Sequence, residues 1–252
     1  MKTASFKQYI KAAFEVLFPK RCLLCGTTLS ESEQHVCISC LTTLPRTRLD
    51  AISDNVVARL FFDIKGATHG MAFLTYRHNN AAFKLIHHLK YTGRPSVGEF
   101  LGRMMAHDIN ETPFFENIDA IVPVPLAKEK QRKRGFNQSE AIAKGISEVT
   151  GIPVRNDLVK RTINNPTQTN LNAHQRRDNV KGIFTLCEEH FNRFCSDLSH
   201  PPHLLLVDDV ITTGATMHTL AETMSKGHDV SLSFIAAALA GQHLNVFQKG
   251  AE

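Results

Sequence analysis

The segment Leu204-Leu205-Leu206-Val207-Asp208-Asp209-Val210-Ile211-Thr212-Thr213-Gly214-Ala215-Thr216 decides how the rest of the chain reads. Four consecutive apolar residues predict a strand buried on both faces, as at the centre of a parallel sheet. Two carboxylates follow at the strand's carboxyl end, where open α/β sheets hold ligands. A short turn of hydroxyls and glycine then opens a helix with apolar positions Met217, Leu220, Ala221 and Met224, stopped by Gly227. The free N–H groups and positive dipole end of such a helix hold a phosphate, and threonine hydroxyls add donors. Gly214 lets the backbone approach without a Cβ in the way. Asp208 and Asp209 can accept hydrogen bonds from a vicinal diol. The ligand described has a phosphate and a ribose about one loop apart. An isolated Asp-Asp pair is more often a simple cap; the whole string carries the reading.

Working outward, strands alternate with helices from residue 71 onward. Met71–Tyr76 alternates in the strand manner. Asn79 or Asn80 caps a helix with apolar positions Ala82, Leu85, Ile86 and Leu89, stopped by Gly93 and Pro95. A second helix is expected over Ser96–Ile109 and a short strand over Ala120–Val124. Asn137 with Glu140 resembles a capping box, and its helix ends near Gly151. Further strands are expected at Val154–Val159, Gly182–Leu186 and from Val230. This alternation predicts a doubly wound α/β domain with a mostly parallel sheet over residues 71–252.

Two polar stretches suit an anionic ligand. Val122-Pro123-Val124-Pro125 ends a strand and leads to Lys128, Lys130, Arg132, Lys133 and Arg134. These cations can neutralise a pyrophosphate leaving group, normally with Mg²⁺ shared between its oxygens; a charge run of this kind is also compatible with a solvated surface. The loop Arg161–Asn179 has no apolar rhythm and carries Thr167, Gln168, Arg176 and Arg177. Long polar loops in compact domains are often lids. Between Lys128 and Lys181 there are 12 Lys/Arg against 5 Asp/Glu, 12 − 5 = +7, whereas the whole chain is +5. The positive field is therefore local and suits a phosphate or a nucleic acid.

The Leu204–Thr216 string resembles, position for position, the phosphoribosyl pyrophosphate signature of type I phosphoribosyltransferases. The resemblance implies ribose binding by Asp208 and Asp209, taken as the catalytic pair. It implies 5′-phosphate binding by the Thr212, Thr213, Gly214, Ala215 and Thr216 loop. Lys128, Arg132, Arg134 and Gln168 are expected to complete the substrate site. Arg161–Asn179 is similar in place to that family's mobile loop.

Near the N-terminus, Cys22-x2-Cys25 and Cys37-x2-Cys40 form two knuckles, and Gly26 allows the tight turn after the first. Four thiolates so spaced can close a tetrahedral zinc site. Four sulfur ligands leave no open position, so the expected Zn²⁺ is structural. Cys187 and Cys195 are expected to be inert thiols. In the first 20 residues, Ile10, Ala13, Phe14, Leu17 and Phe18 fall on one helical face, interrupted by Lys2, Lys7, Lys11 and Glu15. That pattern reads as an amphipathic helix rather than an export signal. The longest apolar runs are well short of the ~20 residues that cross a bilayer. The expected compartment is cytoplasmic, where clustered cysteines favour metal over disulfide. The expected organisation is therefore a helix over 1–20, a four-cysteine module over 21–45, a connector over 46–70 that is partly helical around Val56–Phe62, and the α/β domain over 71–252.

A four-cysteine module before such a domain is similar to the ComF-type competence proteins. The resemblance rests on Cys22-Leu23-Leu24-Cys25-Gly26, Cys37-x2-Cys40 with Leu44-Pro45, Leu89-Lys90-Tyr91, Pro123-Val124-Pro125, Arg134-Gly135-Phe136-Asn137-Gln138, Arg161-Thr162 with Thr167-Gln168, and Leu204–Thr216. It implies a role in DNA uptake and natural transformation, with single-stranded DNA or DNA-uptake proteins as partners. Two functions stand side by side. One is a glycosyl-transfer enzyme, a phosphoribosyltransferase in which a nitrogen nucleophile attacks ribosyl C1 as Mg-pyrophosphate departs. The other is a non-catalytic, ligand-sensing module that binds single-stranded DNA. Phe136 is the one aromatic residue within Lys128–Asn137, so the basic stretch offers little of a stacking platform.

Overall fold

The computed structural model describes residues 19–47, 54–110, 112–162 and 182–240. The expected N-terminal helix and Gln168 lie outside the described residues, apart from residues 19 and 20. The chain divides into two compact units, Met1–Leu44 and Pro45–Glu252.

In the first unit, Arg21 and Thr28 pair antiparallel across the first cysteine knuckle. Gly26 closes the turn at φ +78°, donating from its amide to the Cys22 carbonyl. The second knuckle opens the short helix α1, Ile38–Thr42, with Cys37 at its cap. Glu33 braces this turn: its carboxylate accepts from the Ile38 amide at 2.7 Å and the Ser30 amide at 2.8 Å.

The second unit is built on a four-stranded parallel sheet. Its elements, in chain order, are α2 (Val56–Arg59), β1 (Ala67–Tyr76), α3 (Ala81–Tyr91), α4 (Pro95–Ile109), β2 (Ala120–Pro123), α5 (Lys128–Arg134), α6 (Gln138–Thr150), β3 (Val159–Arg161), β4 (Phe184–Leu186), α7 (Glu188–Ser196), β5 (His203–Ile211), α8 (Ala215–Ser225) and β6 (Ser231–Ala240). The sheet order is β1-β6-β5-β2, and β3-β4 form a separate antiparallel pair. Leu204, Leu205, Leu206 and Val207 are fully buried, as a run without alternation requires. Each contributes roughly 1.5–3 kcal/mol of burial free energy. Leu204 and Leu206 share a core with Phe61, Met217, Leu220 and Phe234. Leu205 and Val207, being out of phase, face the opposite side. The fold is thus α/β, with a four-cysteine unit ahead of it.

Both sheet edges are shielded, which removes a template for aggregation. On the β1 side the Thr47 amide donates to Phe73 O and the Thr75 amide to Pro45 O. On the β2 side Val154 makes a single parallel bridge with Ile121. The one strand expected over Val154–Val159 is therefore divided: Val154 touches the main sheet, and the chain then turns away to begin β3 with Val159.

α7 is an element that the sequence pattern does not announce; Phe191 and Phe194 are its buried residues and Glu188 and Glu189 occupy its first turn. The expected capping box at α6 is half made. Asn137 accepts from the Ser139 amide, but Glu140 accepts from Asn156 Nδ2 instead of returning to the cap.

Residues 54–66 pack on the sheet. Asn55 is buried, caps α2 with its Oδ1 and donates from Nδ2 to Gly70 O at 2.7 Å. Phe61 stacks on Phe234 with centroids 4.0 Å apart.

Candidate phosphoribosyl site and cysteine cluster

β5 continues beyond its apolar run, so Asp208 and Asp209 lie within the strand rather than after it. β2 stops one position short: Pro123 pairs with Val207, and the Val124 amide donates to Val207 O as the last contact. From Asp208 on, β5 has lost its β2 neighbour while β6 stays paired, Asp208 opposite Ala236. That one-sided opening gives the two carboxylates room for side-chain partners.

Asp208 Oδ1 accepts from Ser139 Oγ at 3.0 Å and from the Asp209 amide at 2.8 Å. Burial, then the neighbouring Asp209 charge, pushes the Asp208 carboxyl up to about 7, against these hydrogen bonds and Lys90. Asp209 Oδ2 is 3.1 Å from Lys90 Nζ, at the C-terminal end of α3.

Around this pair the cations crowd. Burial lowers the Lys130 ammonium, and the charges of Arg161, Arg134 and Lys90 lower it further, with Asp209 opposing. Burial also lowers Arg161, with the Asp208 charge opposing. The Arg161 guanidinium lies 5.5 Å from the centroid of the Phe184 ring, and its buried Nε makes no hydrogen bond. Four cations against two carboxylates, one of them pushed toward neutrality, is an arrangement short of an anion.

The threonine–glycine loop follows. Gly214 takes the left-handed conformation at φ +77° as the cap of α8. A Cβ there would meet Phe61 at 3.5 Å, which places the α2 region against the loop. Thr213 Oγ1 accepts from the Ala215 amide at 3.4 Å. Thr212 is exposed, while Thr213, Ala215 and Thr216 are half-buried at the mouth of the helix.

The sequence-expected residues fall into three sets. Asp208, Asp209 and the Thr212–Thr216 loop form one continuous rim. Arg134 is drawn toward it, donating to Gln138 Oε1 at 2.8 Å and lying over Tyr91. Lys128 lines a neighbouring open cleft of about 510 Å³ with Asn137, Lys160 and Arg161, and Arg132 is on the exposed side of α5. Lys130, one of the cations expected to neutralise a pyrophosphate, belongs to the cluster, as do Lys90, Ser139 and Arg161, which the sequence alone does not mark as ligands. Lys90 and Arg161 lie within motifs that carry the family resemblance, and Arg161 also opens the polar loop expected to act as a lid.

In the first unit the four ligand sulfurs of Cys22, Cys25, Cys37 and Cys40 lie within 4.8 Å of one another. Cys25 and Cys37 Sγ are 3.7 Å apart, close to the ~3.8 Å edge of a tetrahedron with ~2.3 Å zinc–sulfur bonds. The Cys37 amide donates to Cys22 Sγ at 3.4 Å, orienting a ligand sulfur from behind. The donor set and its spacing fit Zn²⁺.

No protein-family model matches the chain. It is 33% identical over 147 residues to competence protein F of Haemophilus influenzae, covering 56% of this chain and 61% of that one. It is 32% identical over 143 residues to the DNA utilization protein YhgH of Escherichia coli K12, covering 56% and 59%. It is 30% identical over 114 residues to competence protein ComFC of Bacillus subtilis, covering 45% and 41%. Over just over half of its length the chain is similar to the ComF-type competence proteins. It spans about three fifths of the length of the first two relatives. Among solved structures, the chain is 11% identical to adenine phosphoribosyltransferase of Leishmania tarentolae, covering 67% of this chain and 91% of that one with a TM-score of 0.36. It is 20% identical to the glutamine phosphoribosylpyrophosphate amidotransferase of B. subtilis, covering 59% and 30% with a TM-score of 0.34. So distant a likeness says nothing about the site. No described helix is long and apolar enough to cross a membrane.

Proposed function

We propose that this protein binds a phosphoribosyl pyrophosphate-like ligand at the rim formed by Asp208, Asp209 and Thr212–Thr216, and that it serves DNA uptake as a transferase in glycosyl chemistry. The observation that carries the reading is the juxtaposition of a carboxylate pair, a helix-opening threonine loop and a cation cluster at one end of one strand. The loop amides and hydroxyls take the 5′-phosphate. The carboxylates accept from the ribose diol. Lys90, Lys130, Arg134 and Arg161 face the pyrophosphate, where they stabilise charge developing on a leaving group.

Mg²⁺ fits this reading as an ion held mainly by the ligand's own phosphate oxygens, because Asp209 is already paired with Lys90 and few oxygen ligands remain. When bound, the ion would neutralise pyrophosphate charge. The chain's own residues position the ribose and the leaving group. The DNA-uptake role rests on the names of the relatives, competence protein F and DNA utilization protein YhgH.

Titration calorimetry with phosphoribosyl pyrophosphate, pyrophosphate and ribose 5-phosphate, each with and without Mg²⁺, tests the reading. The full ligand should bind at least tenfold more tightly than either half, and Mg²⁺ should strengthen it. Equal affinity for pyrophosphate alone would reduce the site to a general anion trap.

A further inference from the structure

We propose that the exposed face of α3 is a stacking platform for single-stranded nucleic acid. Phe83, His87 and Tyr91 recur at every fourth residue, which puts their rings one above another on one side of the helix. Phe83 and His87 have centroids 6.2 Å apart at 28°, and His87 and Tyr91 4.7 Å apart at 45°. Tyr76 and His78 extend the row beyond the helix start, 5.7 and 5.1 Å from Phe83. At the other end the Arg134 guanidinium lies 5.8 Å from the centroid of the Tyr91 ring. From Phe83 to Tyr91 the helix rises about 12 Å, the length of three to four stacked nucleotides.

Core packing does not account for this row. α3 buries Ala82, Leu85, Ile86 and Leu89 on its other face, while Tyr91 is 62% exposed and His87 is exposed. The segment that carries the row is basic. Tyr76–Pro95 contains no Asp or Glu but carries Arg77, Lys84, Lys90 and Arg94 together with three histidines. α5 adds Arg134 at the Tyr91 end. Aromatic rings interleaved with cations on a segment that itself carries no carboxylate suit a flexible polyphosphate with π-faced bases, although Lys90 is paired with Asp209. A paired duplex keeps its bases stacked on one another and presents few π-faces to such a row.

The platform shares Lys90 and Arg134 with the phosphoribosyl reading, but its rings are not assigned to that site. Tyr91 and His87 make no contact with Asp208 or Asp209, so ligand-induced stabilisation at those aspartates is an independent control. The test is fluorescence anisotropy of labelled 15-mers of oligo(dT) and oligo(rU), titrated with the full chain between 50 and 200 mM salt. Tyr91→Ala should weaken binding of at least one oligomer about 5- to 150-fold, the effect of one lost base stack. Tyr91→Phe should stay within about twofold of wild type. Lys84→Gln should instead lower the salt slope by about one counterion. Because the chain has no tryptophan, its tyrosine emission is directly visible and should be quenched by the oligomer in wild type. Binding by Tyr91→Ala within twofold of wild type, with a native melting temperature, overturns the proposal. So does the absence of any oligomer binding by wild type at 50 mM salt.

Discussion

Lys90 Nζ and Asp209 Oδ2 are 3.1 Å apart, joining the end of α3 to the carboxyl half of β5. Lys90 is 22% and Asp209 14% exposed, so this pair is screened less than a surface pair. A ribose diol that hydrogen-bonds Asp209 competes with Lys90 for the same oxygen. The lysine is then free for the pyrophosphate.

Lys90→Gln is expected to weaken phosphoribosyl pyrophosphate binding about 10- to 100-fold, the worth of one charge-assisted contact to phosphate. It should leave ribose 5-phosphate binding within threefold. Calorimetry on the two ligands separates these outcomes. An equal loss for both would place Lys90 at the sugar end.

Asp208 has a testable pH signature. Its carboxyl is pushed up to about 7 in the folded state by burial and by Asp209. An unfolded aspartate titrates near 3.9. Between about pH 4 and pH 7 the folded state therefore binds more protons than the unfolded state, and stability falls as pH rises. The favourable contribution is complete below about pH 4 and lost above about pH 7. Asp208→Asn keeps an acceptor for Ser139 and removes the titration. Its melting temperature at pH 8 should exceed wild type by roughly 2–8 °C, and the two curves should converge toward pH 4. A lower melting temperature at pH 8 would contradict the assigned cause.

Two glycines should respond differently. A Cβ on Gly145 would lie 2.0 Å from Glu99 O, where α4 and α6 meet backbone to backbone. Gly145→Ala must separate those helices and should cost 3 kcal/mol or more, on the order of the larger overpacking penalties. Gly214→Ala meets only ordinary contact with Phe61 at 3.5 Å, so its cost is the left-handed backbone, about 1–2 kcal/mol. Urea unfolding of both variants checks the order.

The cysteine cluster predicts about one zinc per chain. Cys37→Ser should remove most of it, because a hydroxyl is a poor replacement for a thiolate. Since Met1–Leu44 and Pro45–Glu252 are separate compact units, the main unfolding transition should move by less than about 2 °C. Metal analysis and calorimetric scanning on the same sample read both. Full zinc retention in the variant would contradict a four-sulfur site.

The parallel-sheet core was legible because Leu204–Val207 has no polar interruption, and the helix starts were legible through Asn80 and Asn137. What escaped the sequence was set by distant contacts. The Val154–Val159 run looks like one strand, and only the end of β2 decides that it divides. Phe61 reads as an ordinary apolar residue until Phe234 is placed beneath it and Gly214 beside it. Arg161 and Lys90 are 71 positions apart (161 − 90) and meet only through Asp208 and Asp209. The aromatic row on α3 becomes legible only once Ala82, Leu85, Ile86 and Leu89 are seen to take the buried face, which leaves His87 and Tyr91 outward.

The central claim is that Asp208, Asp209 and the Thr212–Thr216 loop form a phosphoribosyl pyrophosphate site, and ligand-dependent melting tests it most directly. Wild type and Asp208→Asn/Asp209→Asn are compared at pH 7.5 with Mg²⁺, with and without the ligand. At 100 times its dissociation constant the ligand adds about 2.7 kcal/mol, a rise of roughly 5–10 °C for a domain of this size. The account predicts that rise in wild type and less than about 1 °C in the double variant. No shift in wild type at millimolar ligand, or an equal shift in both proteins, would contradict it.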